Sequence, residues 1–193
     1  MKKILLLSLV LLHLFCYNSY AQETATKTAE STKKDSLTFP GSWLGNWVGN
    51  LEVHSVKGLV RTLPMELEMA KMDSSDNYIW AIIYGEDKVA GRRAYELEIV
   101  DPEKGLYVVD EKNTIKLESY LIANKLICRF EVEGTYLIST YELVGDKMIF
   151  EIIAGSATAI SSTGGEIFEG EEIPVVNTFP VNVVQRGILK RSD

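Results

Sequence analysis

Met65-Glu66-Leu67-Glu68-Met69-Ala70 alternates large apolar residues with charged or small ones at every step. Successive side chains on a strand point to opposite faces, so the stretch reads as a strand with Met65, Leu67 and Met69 on one buried face. The same period runs through Tyr95-Glu96-Leu97-Glu98-Ile99 and through Leu126 to Val132, where Leu126, Cys128, Phe130 and Val132 share a face. Tyr78 to Tyr84 and Met148 to Ile153 are apolar on both faces and read as central or covered strands.

Turn chemistry separates these runs. Asp101-Pro102-Glu103-Lys104-Gly105 offers Pro at a turn's second position and Gly where φ must be positive. Ala123-Asn124, Glu133-Gly134 and Gly145-Asp146-Lys147 punctuate the rest. No extended helical period follows Trp43. The pattern predicts an all-β protein, an antiparallel up-and-down barrel of about eight to ten strands joined by short hairpins. Closure is expected because it removes exposed strand edges.

The N-terminal residues have a different composition. Lys2 and Lys3 precede an apolar run from Ile4 to Phe15, and Ser19-Tyr20-Ala21 offers small residues at a cleavage site. Residues 1–21 are therefore expected to be a cleavable signal peptide that sends the chain to the periplasm or the exterior. Cys16 follows the bulky Phe15, so processing as a lipoprotein is not expected. No later segment has the length of a membrane-spanning helix. Residues 22–41 read as a disordered leader rich in Thr, Ser, Lys and Glu. Residues 42–191 form the single barrel domain, interrupted by a long loop at 154–177 that reads as a lid, a binding loop or a disordered insertion.

The formal net charge of the 193 residues is −7, and loss of Lys2 and Lys3 makes it more negative. Such a chain is a poor partner for nucleic acid. His13 and Cys16 would leave with the signal, so no disulfide is expected within the remaining chain. One His (His54) and one Cys (Cys128) are then too few for a zinc site built on those ligands. No Gly-x-Ser-x-Gly elbow, phosphate-binding glycine loop or EF-hand spacing is present. No catalytic residue, metal or cofactor is expected.

Gly45-Asn46-Trp47 opens the first strand, where a glycine allows a sharp entry and an indole can plug the barrel end. Arg186, in phase with Val184 and Ile188 on the last strand, is the expected cation over that indole. Gly45, Trp47 and Arg186 together resemble the lipocalin and calycin superfamily, in which a Gly-x-Trp on the first strand meets an Arg from the last. The resemblance implies a barrel that binds small hydrophobic molecules. The strand count is closer to the ten of fatty-acid-binding proteins and nitrobindins, which Trp43-Leu44-Gly45-Asn46-Trp47 also resembles. Nitrobindins hold haem through a late His, and this chain has none after His54. Asp110 to Asn113 and Val184 to Arg186 are similar to exported bacterial proteins of the calycin type.

Polar residues on apolar faces are the candidates for ligand contact. Arg93 shares the phase of Tyr95 and Leu97, and Glu151 that of Ile149 and Ile153. A charge turned into a barrel is costly unless paired, so each reads as a ligand anchor, half of an internal ion pair, or a strand-end residue reaching solvent. Tyr84, Tyr107 and Tyr136 are candidate pocket lining. The expected function is binding of a small, largely hydrophobic ligand, and the oligomeric state is left open. The alternative is an envelope structural or interaction module with a filled barrel, and an enzyme is a third, lesser reading.

Overall fold

The computed structural model describes residues 38–192. The expected signal peptide and most of the leader lie outside the described residues. A 3₁₀ turn at Gly41–Trp43 leads into β1 (Gly45–Ser55), followed by β2 (Gly58–Lys71), β3 (Tyr78–Tyr84), β4 (Arg92–Asp101) and β5 (Leu106–Asp110). Next come β6 (Lys116–Ile122), β7 (Lys125–Val132), β8 (Thr135–Val144) and β9 (Lys147–Ser156). Four short strands, β10 (Ser161–Thr163), β11 (Ile167–Phe168), β12 (Glu171–Glu172) and β13 (Val176–Thr178), precede β14 (Val183–Ser192).

Strands β1 to β9 and β14 close an antiparallel barrel of ten strands in which each is hydrogen-bonded to its chain neighbour and β14 fits between β9 and β1. The hairpins follow from local chemistry. Ala123 and Asn124 have φ of 48° and 62°, and Glu133 and Gly134 have φ of 48° and 75°. Two consecutive positive φ values match the twist of paired strands and keep the meander continuous.

The alternation in β2 delivers what it predicts: Met65, Leu67 and Met69 are buried and face inward. β3 is buried on both sides, Trp80 and Ile82 within and Ala81 and Ile83 without. Across its outer side Arg92 of β4 reaches Glu68 of β2 at 2.7 Å, and Lys88 reaches Glu66 at 2.5 Å. The stems of these side chains cover the strand. Asp110, a buried carboxylate at the end of β5, accepts from the Lys112 backbone N–H at 2.7 Å and lies 3.3 Å from Lys116 Nζ. That hydrogen bond is the main cause holding its carboxyl below the usual carboxylate range.

One end of the barrel is closed by aromatic rings. Trp43, Trp47 and Trp80 are fully buried. Trp47 Nε1 donates to the Trp43 carbonyl at 2.9 Å. Phe39 stands edge-on to Trp43 and to Tyr107, with ring centroids 4.6 and 4.8 Å apart. Phe39, assigned by its sequence position to the leader, is therefore part of the plug, and the packed domain begins before Ser42.

The cation over Trp47 is Arg191, not Arg186. Its guanidinium carbon lies 4.4 Å from the indole centroid. The β1–β14 register explains the correction: Trp47 faces Arg191 across the ladder, whereas Arg186 faces Glu52. The two arginines are five positions apart, an odd step that puts them on opposite faces of the strand.

Residues 157–182 are a hairpin arm. β10 pairs with β13 and β11 with β12, and the turn at Glu169 and Gly170 has positive φ at both residues. The chain then returns along the outside of the wall. Phe179 packs edge-on to Tyr136 at 5.6 Å, and Asn182 N–H donates to the Ala154 carbonyl at 2.9 Å. A Cβ at Gly155 would overlap the Pro180 carbonyl, so the close approach of arm and wall requires glycine there. Among the described residues no helix is long and apolar enough to cross a membrane.

Candidate functional site

Trp80 stands at the floor of the unfilled part of the barrel. Tyr141 meets Trp80 edge-on at 5.1 Å, and Phe150 lies 5.1 Å beyond Tyr141. Beyond these rings the interior is not filled. A cavity of about 110 Å³ remains, lined on its apolar sides by Ile82, Val109, Leu126, Phe130, Phe150 and Ile152. β3, β5 and β7 all run away from the Trp47 end toward this cavity. It therefore occupies the half of the barrel opposite the plug.

The polar lining comes from Tyr84, Tyr95, Tyr141, Ser119, Ser139, Cys128 and Glu111. Burial pushes the Tyr84 hydroxyl up to about 12, with Tyr95 adding to the rise and Arg93 opposing it. Tyr95 is raised by burial first and by the Glu111 carboxylate second, again against Arg93. Burial raises Tyr141 well above the ordinary phenol value. All three hydroxyls are thus neutral hydrogen-bonding groups at neutral pH. Burial also raises Cys128, partly offset by the Ser119 hydroxyl, so the thiol stays protonated and is a poor nucleophile. Trp43 Nε1 and Trp80 Nε1 are buried without a hydrogen-bond partner among the described residues.

The residues singled out from sequence separate into three places. Tyr84 lines the cavity, and Arg93 rises from the inner face of β4, opposite the lining residue Ile82. Tyr107 is buried in the plug against Phe39. Glu151 and Tyr136 lie on the outer wall. In β9 the inward residues are Met148, Phe150 and Ile152, so Glu151 points out, 4.0 Å from Arg186 on the neighbouring strand. Tyr136 lies under the returning arm beside Phe179. Gly45 holds φ at 126°, and a Cβ there would press on the Arg191 guanidinium, which fits its role at the entry to the plug.

Glu111, Ser119, Ser139 and Tyr141 were not identified from sequence. Ser119 shares the phase of Leu117 and Leu121, and Ser139 that of Leu137 and Tyr141. Small polar residues in an inward phase are the signal of an interior left partly empty. His54 is exposed beside Glu52 at 3.1 Å, away from the cavity lining. Among the described residues no group of three or more His, Cys, Asp or Glu side chains converges to hold a metal.

No family model matches this chain, and no curated protein does. Two solved structures match this chain. One is a protein of unknown function from the DUF3598 family of Nostoc punctiforme, 11% identical, with a TM-score of 0.53 over 77% of this chain and 47% of the other. The chain thus spans about half the length of that protein. The second is an S-type phycobiliprotein lyase from Guillardia theta, 8% identical, with a TM-score of 0.48 over 78% of this chain and 88% of the other. At 11% identity the first likeness extends to the fold and no further.

Proposed function

We propose that this chain is an exported binding protein that holds a small apolar ligand inside the barrel, in the manner of the lipocalin and calycin superfamily. The observation that carries this reading is the cavity above Tyr141 and Phe150, walled by aliphatic and aromatic side chains with a few neutral polar groups and the Glu111 carboxylate. Its volume of about 110 Å³ limits the ligand. Engineered apolar cavities of roughly 150 Å³ take benzene, and sites for drug-sized ligands run from roughly 300 Å³ upward. That is less than a benzene-binding cavity offers, so the ligand's buried part is at most a single ring or a short branched chain. A fatty-acid tail or a haem exceeds this space.

Binding is favoured over catalysis because the cavity thiol is held protonated and His54 lies away from the cavity. A second reading, an interaction module, rests on the arm, where Ile167, Phe168 and Val175 are largely exposed. Titration with toluene followed by amide NMR distinguishes the two. Shifts centred on Ile82, Phe130, Phe150 and Ile152 support ligand binding; none at saturating toluene overturns it.

A further inference from the structure

Two opposite charges act on the lining residue Tyr95 and do not pair with each other. Glu111, the residue after β5, lines the cavity. Arg93 faces the lining residue Ile82 across the β3–β4 ladder and so rises from the inner face at the open side. Tyr95 lies between them. It shares Arg93's face two residues along, and the pairing of Glu96 with Asp110 brings it beside Glu111. Both charges act on its hydroxyl, in opposite directions.

Among the described residues neither Arg93 nor Glu111 forms an ion pair, although carboxylates and cations elsewhere on the wall pair readily. Glu111 Oε2 accepts from Asn113 Nδ2 at 3.2 Å. Arg93 Nη1 donates to the Ala90 and Arg92 carbonyls, both at 3.2 Å, which anchors the guanidinium at the turn between β3 and β4. An anchored cation and an anchored anion flank one tyrosine above an apolar well.

We infer that the site takes a small zwitterion with a compact apolar tail, such as an apolar α-amino acid, its carboxylate on Arg93 and its ammonium on Glu111. The inference rests on the ligand-binding reading and names the class of ligand. Each half of the head meets a charge of opposite sign, and the tail enters the space bounded by Ile82, Tyr141 and Phe150. The two contacts differ in strength. Glu111 is half-buried and lines the cavity, so a charged hydrogen bond to it is worth about tenfold in affinity. Arg93 is exposed, and solvent limits its pairing to about fivefold or less.

Four probes that share one benzyl-sized body separate the contributions: toluene, 3-phenylpropanoate, 2-phenylethylamine and L-phenylalanine. Calorimetry or NMR titration should find L-phenylalanine the tightest. Glu111→Gln should weaken L-phenylalanine and 2-phenylethylamine about tenfold and leave toluene unchanged. Arg93→Gln should weaken L-phenylalanine and 3-phenylpropanoate by about fivefold at most. If toluene binds and the zwitterion binds no tighter, or if Glu111→Gln leaves L-phenylalanine unaffected, the zwitterion inference is wrong and the cavity reading survives. If toluene also fails to bind, both fall.

Discussion

Arg191 lies across the face of Trp47, its guanidinium carbon 4.4 Å from the indole centroid, and donates to the Leu44 and Ser42 carbonyls. The last strand is thereby tied to the turn that precedes the first, across the seam where the barrel closes. Replacing Arg191 with Ala removes a cation–π contact and charged hydrogen bonds to backbone. The expected loss is about 1–3 kcal/mol, reduced toward the lower end by the side chain's exposure. Arg186→Ala removes only a 4.0 Å contact on the outer wall and should change stability by about 0.5 kcal/mol or less. Urea denaturation of the two variants checks the assignment. Equal midpoints would show that the stacking adds nothing to the seam.

Trp47 is 1% exposed and satisfies its N–H on the Trp43 carbonyl. Trp47→Ala should therefore cost about 3–5 kcal/mol, because it opens a void in a plug whose other rings are held by one another. Trp47→Phe should cost less, since most of the contact surface survives and the partner left behind is a carbonyl near the barrel end. An unchanged denaturation midpoint for Trp47→Ala would remove the plug from the account of stability.

Legibility followed the clarity of the alternation. In β2, glutamates at every second position leave one choice of buried face, and Met65, Leu67 and Met69 take it. β9 reads Met148-Ile149-Phe150-Glu151-Ile152-Ile153, apolar on both sides, and its inward face belongs to Met148, Phe150 and Ile152. Phase alone cannot choose between two apolar faces, which is why Glu151 read as interior. β14 has the same ambiguity. The informative signal there is distance from the strand end: Trp47 is near the start of β1, so its antiparallel partner is near the end of β14, at Arg191. The cavity residues were harder to find because an empty interior is marked by serines that resemble surface residues. Nothing in local pattern says that Ser119 and Ser139 share one space, since only closure brings their strands there.

Tyr84 gives the protein an alkaline limit. Its hydroxyl is raised from 10.0 to about 12 in the folded state, chiefly by burial. A group raised in the fold contributes its full share below its unfolded value and loses it as pH climbs toward the folded value. Stability should hold up to about pH 10 and fall between about pH 10 and 12, with roughly 2–3 kcal/mol attributable to this residue. Tyr84→Phe should flatten the fall over that window. Thermal melts of both proteins from pH 8 to 12 provide the comparison, and parallel curves would mean that Tyr84 ionises without penalty.

Cys128 lies in the cavity wall opposite Ser139 on the neighbouring strand, and its side chain is buried. Leucine at this position places extra methyl groups into the empty space instead of into packed neighbours. Overpacking a filled core costs about 1–3 kcal/mol, whereas filling an existing void offsets that cost with new contacts. Cys128→Leu should therefore stay within about 1 kcal/mol of the parent by denaturation while toluene no longer shifts the amides of Ile82 and Phe150. The paired measurement isolates the cavity from the fold. A variant of unchanged stability that still binds toluene would place the ligand elsewhere, and the groove beneath Phe179 on the outer wall would be the next place to look.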